Sequence, residues 1–144
     1  MEQRVSVITL AVRDLQRSRS FYETGLGWHP AFASDQVAFY QIGGAVLSLY
    51  SLTDLLEETR LAPESIKTGT VALAHNVRSR EQVEAVMNQA GTAGARILKA
   101  PSETPWGGYS GYFADPDGQP WEVAFNPEWP LNEDGSLAIP PQSE

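Results

Sequence analysis

Apolar residues crowd the stretch from Arg4 to Val12, where Val, Ile, Leu and Thr predominate, and the run stops at Arg13-Asp14-Leu15. A β-branched run of this length favours an extended strand, and Asp14 is placed to cap a helix behind it. Leu15, Ser18, Phe21, Tyr22 and Leu26 recur at three and four residues. That spacing predicts one helix face over about 15–25, with Gly25 or Gly27 as the stop. Three short strands follow at 28–33, 36–42 and 45–51, divided by the turn residues Ser34-Asp35 and Gly43-Gly44. Residues 52–66 read as a short helix and a Pro-containing connector.

The pattern then restarts. A strand is predicted over 68–77, and Ser79 can cap a helix whose apolar face is Val83, Val86, Met87 and Ala90 and which ends near Gly91 or Gly94. A short strand at 96–99 and a loop rich in Pro, Gly and Trp at 101–108 come next. Strands at 110–114 and 120–126 flank Asp115-Pro116-Asp117-Gly118, where Pro suits the second turn position and Gly the fourth. Val77-Arg78-Ser79 echoes Val12-Arg13-Asp14 at a distance of 65 residues. The chain therefore reads as a duplicated βαβββ module, about 4–51 and 67–126, with 52–66 joining the copies in one domain over 1–126. The tail, 127–144, carries Trp129, Pro130, Pro140 and Pro141 and is expected to lie over the surface rather than to extend a sheet.

Composition narrows the function classes. With 144 residues and 42% hydrophobic content the chain can build a core. Eighteen Asp plus Glu against 10 Lys plus Arg give a net charge of −8, and the basic residues form no stripe beyond Arg13, Arg17 and Arg19, and Arg78 and Arg80. Binding to nucleic acid or to an anionic membrane surface is thereby disfavoured. The absence of cysteine removes thiolate metal sites and thiol nucleophiles. No apolar run approaches the length of a membrane span and no secretory leader is evident, so a cytoplasmic protein is expected.

The stretches ITLAVRDLQRSRSFYETGLGW and YFADPDGQPWEV together resemble the vicinal oxygen chelate superfamily, which includes glyoxalase I, extradiol dioxygenases, fosfomycin-modifying enzymes and bleomycin-resistance proteins. The resemblance implies an α+β fold in which two βαβββ units form a curved mixed sheet around an open, barrel-like cleft. In metal-dependent members one ligand from each of four strands holds a divalent ion. Carried over, those positions fall on Val7, Ser48, Ala72 and Glu122. One carboxylate, one hydroxyl and two hydrocarbons make a poor donor set, since even an open catalytic site needs about three protein ligands. No metal and no other cofactor is expected. His75 should point away from the cleft by strand parity, and His29 has no ligating neighbour at suitable spacing.

The same parity nominates a cleft lining of Val7, Thr9, Ser48, Tyr50, Ala74, Asn76, Ser110, Tyr112, Glu122, Ala124 and Asn126. Glu122 and Tyr112 are the candidate catalytic residues. Thr9, Ser48, Tyr50, Asn76, Trp106, Tyr109, Ser110 and Asn126 are candidate ligand contacts, with Trp106 and Tyr109 on a lid-like loop. Each has an ordinary structural alternative: a carboxylate hydrogen-bonded to Ser48 or Tyr112, tyrosines as cleft walls, Asn76 bonding local backbone. Phe21, Tyr22 and Trp121 are read as packing residues. Two functions fit. One is metal-free capture of a small aromatic or cationic compound, as in bleomycin-resistance proteins, for which 4 Trp, 5 Tyr and the acidic balance are suited. The other is a lyase- or isomerase-like or other enzyme using Glu122 as acid or base on a small oxygenated metabolite, with or without a remodelled metal site; with the inherited metal ligands missing, glyoxalase I and extradiol dioxygenase activities are disfavoured. A homodimer is expected, with sheet edges and the Pro/Trp tail as interface material.

Overall fold

A computed structural model describes residues 6–64, 67 and 71–137. The first module consists of β1 (Val7–Val12), α1 (Leu15–Arg19), β2 (Phe32–Ala33), β3 (Val37–Ile42) and β4 (Ala45–Ser51), and α2 (Leu52–Thr59) leads out of it. The second comprises β5 (Leu73–Asn76), α3 (Arg80–Thr92), β6 (Arg96–Glu103), β7 (Tyr109–Ala114) and β8 (Pro120–Phe125). Each module makes a four-stranded mixed sheet, ordered β1-β4-β3-β2 and β5-β8-β7-β6, with β1 parallel to β4 and β5 parallel to β8. The matching strand orders bear out the duplicated α+β architecture. The two sheets are not closed into a barrel.

The helix caps follow the sequence. Asp14 accepts from the Arg17 amide and Ser79 from the Gln82 amide, so each module enters its first helix through a short polar side chain. The first helix departs from the predicted form: after Arg19 it widens into a π-helical stretch over Ser20–Gly25, turning Phe21 and Tyr22 both into the core. Gly27, at φ +77°, then reverses the chain and lets the Trp28 amide donate to the Tyr22 carbonyl. The strand expected at 28–33 shrinks to Phe32–Ala33 because Trp28 packs in an aromatic cluster with Tyr22, Tyr40 and Trp121 instead of joining a ladder. Of the strand expected at 68–77, Leu73–Asn76 is formed, and residues 68–70 lie outside the described ones. The strand expected to stop at Lys99 runs on to Glu103, taking in Pro101. Its pairing to β7 slips twice, between Ile97 and Lys99 and between Lys99 and Ser102, and a bulged edge strand is where proline can be accommodated.

One core serves both modules. Leu10, Val12, Leu47, Leu49 and Tyr40 from the first sheet, Phe113, Trp121 and Val123 from the second, and Val83, Met87 and Ala90 from α3 belong to a single buried cluster. Tyr22 sits at its centre, fully buried. Its hydroxyl donates to Asp115 at 2.8 Å and accepts from the Trp121 indole at 3.0 Å, so a residue read as packing also carries a buried polar chain. Burial and the adjoining Asp115 carboxylate push the phenol pKa up, and burial raises that of Asp115 as well.

The Asp115-Pro116-Asp117-Gly118 turn fastens the modules together. Asp117, 4% exposed, accepts from the Arg13 amide at 2.9 Å, from the Arg17 guanidinium at 3.2 Å and from the Ser18 hydroxyl at 2.5 Å. The start of α1 is thus docked on a turn about 100 residues away in the chain.

Candidate functional site

Period-2 alternation assigns every strand residue to one of two faces. On the first sheet the core takes Leu10, Val12, Leu47, Leu49, Ala38 and Tyr40, leaving Val7, Thr9, Ser48, Tyr50 and Phe39 on the opposite, open face. Ser48 stands between Thr9 and Phe39 in register and is buried by them; Tyr50, opposite Ala11 and Val37, is half-buried. Phe32 pairs with Phe39 at 6.0 Å between ring centroids and is 55% exposed, and Val7 is 48% exposed, so this face is apolar at its rim.

On the second sheet one row of the open face reads Ala74, Glu122, Tyr112, Lys99, and the next Asn76, Ala124, Ser110, Ser102. Glu122 and Tyr112 are therefore cross-strand neighbours. Tyr112 faces Glu122 across the strands, and partial burial, with the neighbouring carboxylate, holds the phenol pKa up. Lys99 reaches the row through the β6 bulge, which sets two residues against Tyr112. Sequence reading missed Lys99, because an unseen bulge reverses the parity of everything beyond it.

The predicted set divides between the sheets. Tyr112, Glu122 and Ser110 share one patch, and Thr9, Ser48 and Tyr50 another; Thr9 and Ser48 make no hydrogen bond to Tyr112 or Glu122. Three nominated contacts are engaged elsewhere. Tyr109 turns to the helix side, where its hydroxyl donates to Glu84 of α3 and Arg80 sits 5.7 Å over its ring. Trp106 folds back over Gly108, against which a Cβ would collide with its ring. Asn126 spends its carbonyl oxygen on the Glu128 amide, a local turn. Asn76 is half-buried at the end of β5, beside the tail.

At the four positions where metal-dependent relatives would hold an ion, Val7 opens β1, Ser48 is buried, Ala72 precedes β5 and Glu122 is half-buried. Only one of these side chains is a charged donor, and among the described residues no group of three or more His, Asp and Glu is close enough to hold a metal. The donor set does not fit a divalent ion. His29 lies near Glu23, whose carboxylate is already held below its usual pKa by the hydrogen-bonded Arg19 guanidinium.

The family model for the Glyoxalase/Bleomycin resistance protein/Dioxygenase superfamily matches residues 4–123. The chain belongs to this superfamily. Among solved structures of superfamily type, a glyoxalase-related enzyme from Fulvimarina pelagi is similar at 42% identity, covering 96% of this chain and 99% of that one with a TM-score of 0.89. A glyoxalase/bleomycin resistance protein/dioxygenase family enzyme from Burkholderia phytofirmans PsJN shares 24% identity over 83% of this chain and 96% of that one, with a TM-score of 0.74. A lactoylglutathione lyase from Agrobacterium tumefaciens shares the fold, at 20% identity, 92% and 100% coverage and a TM-score of 0.68. The superfamily fold thus spans both modules, and among the described residues no helix is long and apolar enough to cross a membrane.

Proposed function

We propose that this glyoxalase/bleomycin-resistance-like chain captures a small aromatic or cationic molecule on the open faces of its sheets without a metal. The observation that carries the reading is the cross-strand Tyr112–Glu122 pair, a lone carboxylate standing where a metal site would need further donors. On the other open face the exposed Phe32 ring, packed on the half-buried Phe39, supplies stacking surface. Lys99 opposite Tyr112 lowers the pull of Glu122 on a cation, so the aromatic part of the reading draws on local geometry and the cationic part on the net charge of −8. The exposed Val7 and Phe32 and the tail residue Trp129 also favour a homodimer, whose check is the mass by light scattering at micromolar concentration. A monomeric mass would refute it.

The placing of Tyr112 directly across from Glu122 also favours a second reading, in which Glu122 moves a proton on a small oxygenated metabolite. Glu122→Gln separates the two. Elemental analysis of protein purified without chelator is expected to give no stoichiometric nickel, zinc or manganese, and added metal is expected to leave the denaturation midpoint unchanged. Thermal-shift screening of aromatic amines and oxygenated aromatics should then find a ligand. Binding without turnover in both forms supports capture, turnover lost only in the variant supports catalysis, and a midpoint that climbs with metal dose overturns the metal-free reading.

A further inference from the structure

The outer edge of the second sheet, at β5, holds a feature that the pairing of Tyr112 with Glu122 does not use. After β8 the chain turns at Asn126 and forms a small hairpin closed by a bridge between Leu131 and Leu137. Arg78 holds this hairpin down by donating to the carbonyls of Asn132 and Glu133. The hairpin lies beyond residue 123, where the superfamily model ends. Between it and the free edge of β5 is a cavity of about 360 Å³ whose walls include His75, Asn76, Gln82, Leu131 and Leu137. His75 also lines a second cavity, of about 110 Å³, walled by Trp28, Val86, Phe113, Trp121 and Val123.

The chemistry of the two hollows is complementary. The smaller is a recess flanked by Trp28, Phe113 and Trp121 and by the aliphatic Leu26, Val86 and Val123, with His75 and Gln89 on its wall. The larger is polar. His75 and Gln82 are exposed and Asn76 is half-buried, and Gln82 accepts from the Arg78 amide through its carbonyl oxygen. His75 lines both hollows, and Asn76 and Gln82 stand on the wall of the larger one. Charge there is balanced, since Arg78 lies close enough to Asp134 to help hold that carboxylate below its usual pKa. Desolvation by the surrounding side chains lowers the His75 pKa. A few polar groups set around an apolar recess is the usual make-up of a small-molecule site.

We propose that the C-terminal hairpin completes a second ligand site, at the β5 edge and away from Tyr112 and Glu122, that takes a small uncharged aromatic molecule with a hydrogen-bonding head: the ring enters the slot walled by Trp28, Val86, Phe113 and Trp121, and the head meets His75, Asn76 and Gln82. Because the hairpin falls outside the superfamily domain, this site distinguishes the chain from relatives that share only the two modules.

The test is a titration of the full-length, ¹⁵N-labelled protein with p-cresol, followed by amide and indole N–H shifts. The expected result is saturable shifts at the Trp28 and Trp121 indoles and at the amides of His75, Asn76, Leu131 and Leu137. Val86→Trp, which fills the slot, should weaken binding at least tenfold, and Asn76→Leu should weaken it several-fold while leaving the fold intact. Glu122→Gln should leave p-cresol affinity unchanged. The absence of saturable shifts in the wild-type protein would overturn the proposal. So would shifts confined to Tyr112 and its neighbours with affinity lost in Glu122→Gln, a result that would place the aromatic site on the open face instead.

Discussion

Asp117→Ala is the most direct probe of how the two modules are held in one body. The substitution removes an acceptor that serves the Arg13 amide, the Ser18 hydroxyl and the Arg17 guanidinium at once. Ser18 is fully buried, so its hydroxyl would lose its partner in a site water does not reach easily; the Arg13 amide at the turn into α1 loses its partner too. A buried donor left unmatched costs about 1–3 kcal/mol. The Arg17 side chain is about half exposed and contributes little, well under about 1 kcal/mol. The expected loss is therefore about 3 kcal/mol, which in a chain of this size corresponds to a fall in Tm of roughly 10 °C. Urea unfolding followed by tryptophan fluorescence measures it directly, with the slope of the transition unchanged if only the native clamp is affected. Asp117→Asn, which keeps one acceptor oxygen, should fall between the two. A loss smaller than about 1 kcal/mol in Asp117→Ala would refute the view that this carboxylate fastens α1 to the far turn.

Other perturbations test separate parts of the structure. A Cβ on Gly25 would stand 2.4 Å from the Ala93 Cβ, so Gly25→Ala should prise the end of the first helix from α3 and cost about 1–3 kcal/mol, read by calorimetry; a neutral outcome would show that this contact yields freely. His75 titrates below its ordinary value of 6.5 because burial disfavours its charged form. The native state therefore takes up a proton less readily than the unfolded chain, so stability is full above about pH 6.5 and declines as the pH falls below it. His75→Gln should flatten that decline in a series of denaturation midpoints between pH 7.5 and 5, and an unchanged slope would assign the decline to other groups. A Cβ on Gly108 would clash with the folded-back Trp106 ring, so Gly108→Ala should expel the indole and red-shift its emission, whereas an unaltered spectrum would mean the ring was not seated there.

Much of the architecture was legible because both modules announce themselves by the same devices. Asp14 and Ser79 cap as their positions suggest, β4 keeps its expected bounds, and the turn residues separate strands where they stand. Local pattern failed where tertiary packing took over. Trp28 was read as the start of a strand, but an indole in contact with Tyr22, Tyr40 and Trp121 is worth more to the core than a ladder position is to the sheet edge. The widened turn at Ser20–Gly25 leaves no mark on a three-and-four spacing. At the candidate site, strand parity placed Glu122 beside Tyr112, but it could not reveal that β6 slips and brings Lys99 into the same row, nor that the Tyr109 hydroxyl is occupied by Glu84. The role of Asp117 was hidden for a different reason. Its partners are contributed by the opposite end of the chain, and a turn signature records only the local bend.

The twice-slipped course of β6 also governs how the molecule meets its own kind. A neighbouring strand could not zip along an edge whose spacing is broken at two points and where Pro101 offers no amide, and the other sheet ends in a two-residue strand too short to template anything. That leaves β1 and β5 as the outer strands of regular spacing among the described residues. Addition of a further strand is thereby obstructed at one border of each sheet, while the opposite borders, β1 and β5, keep regular spacing.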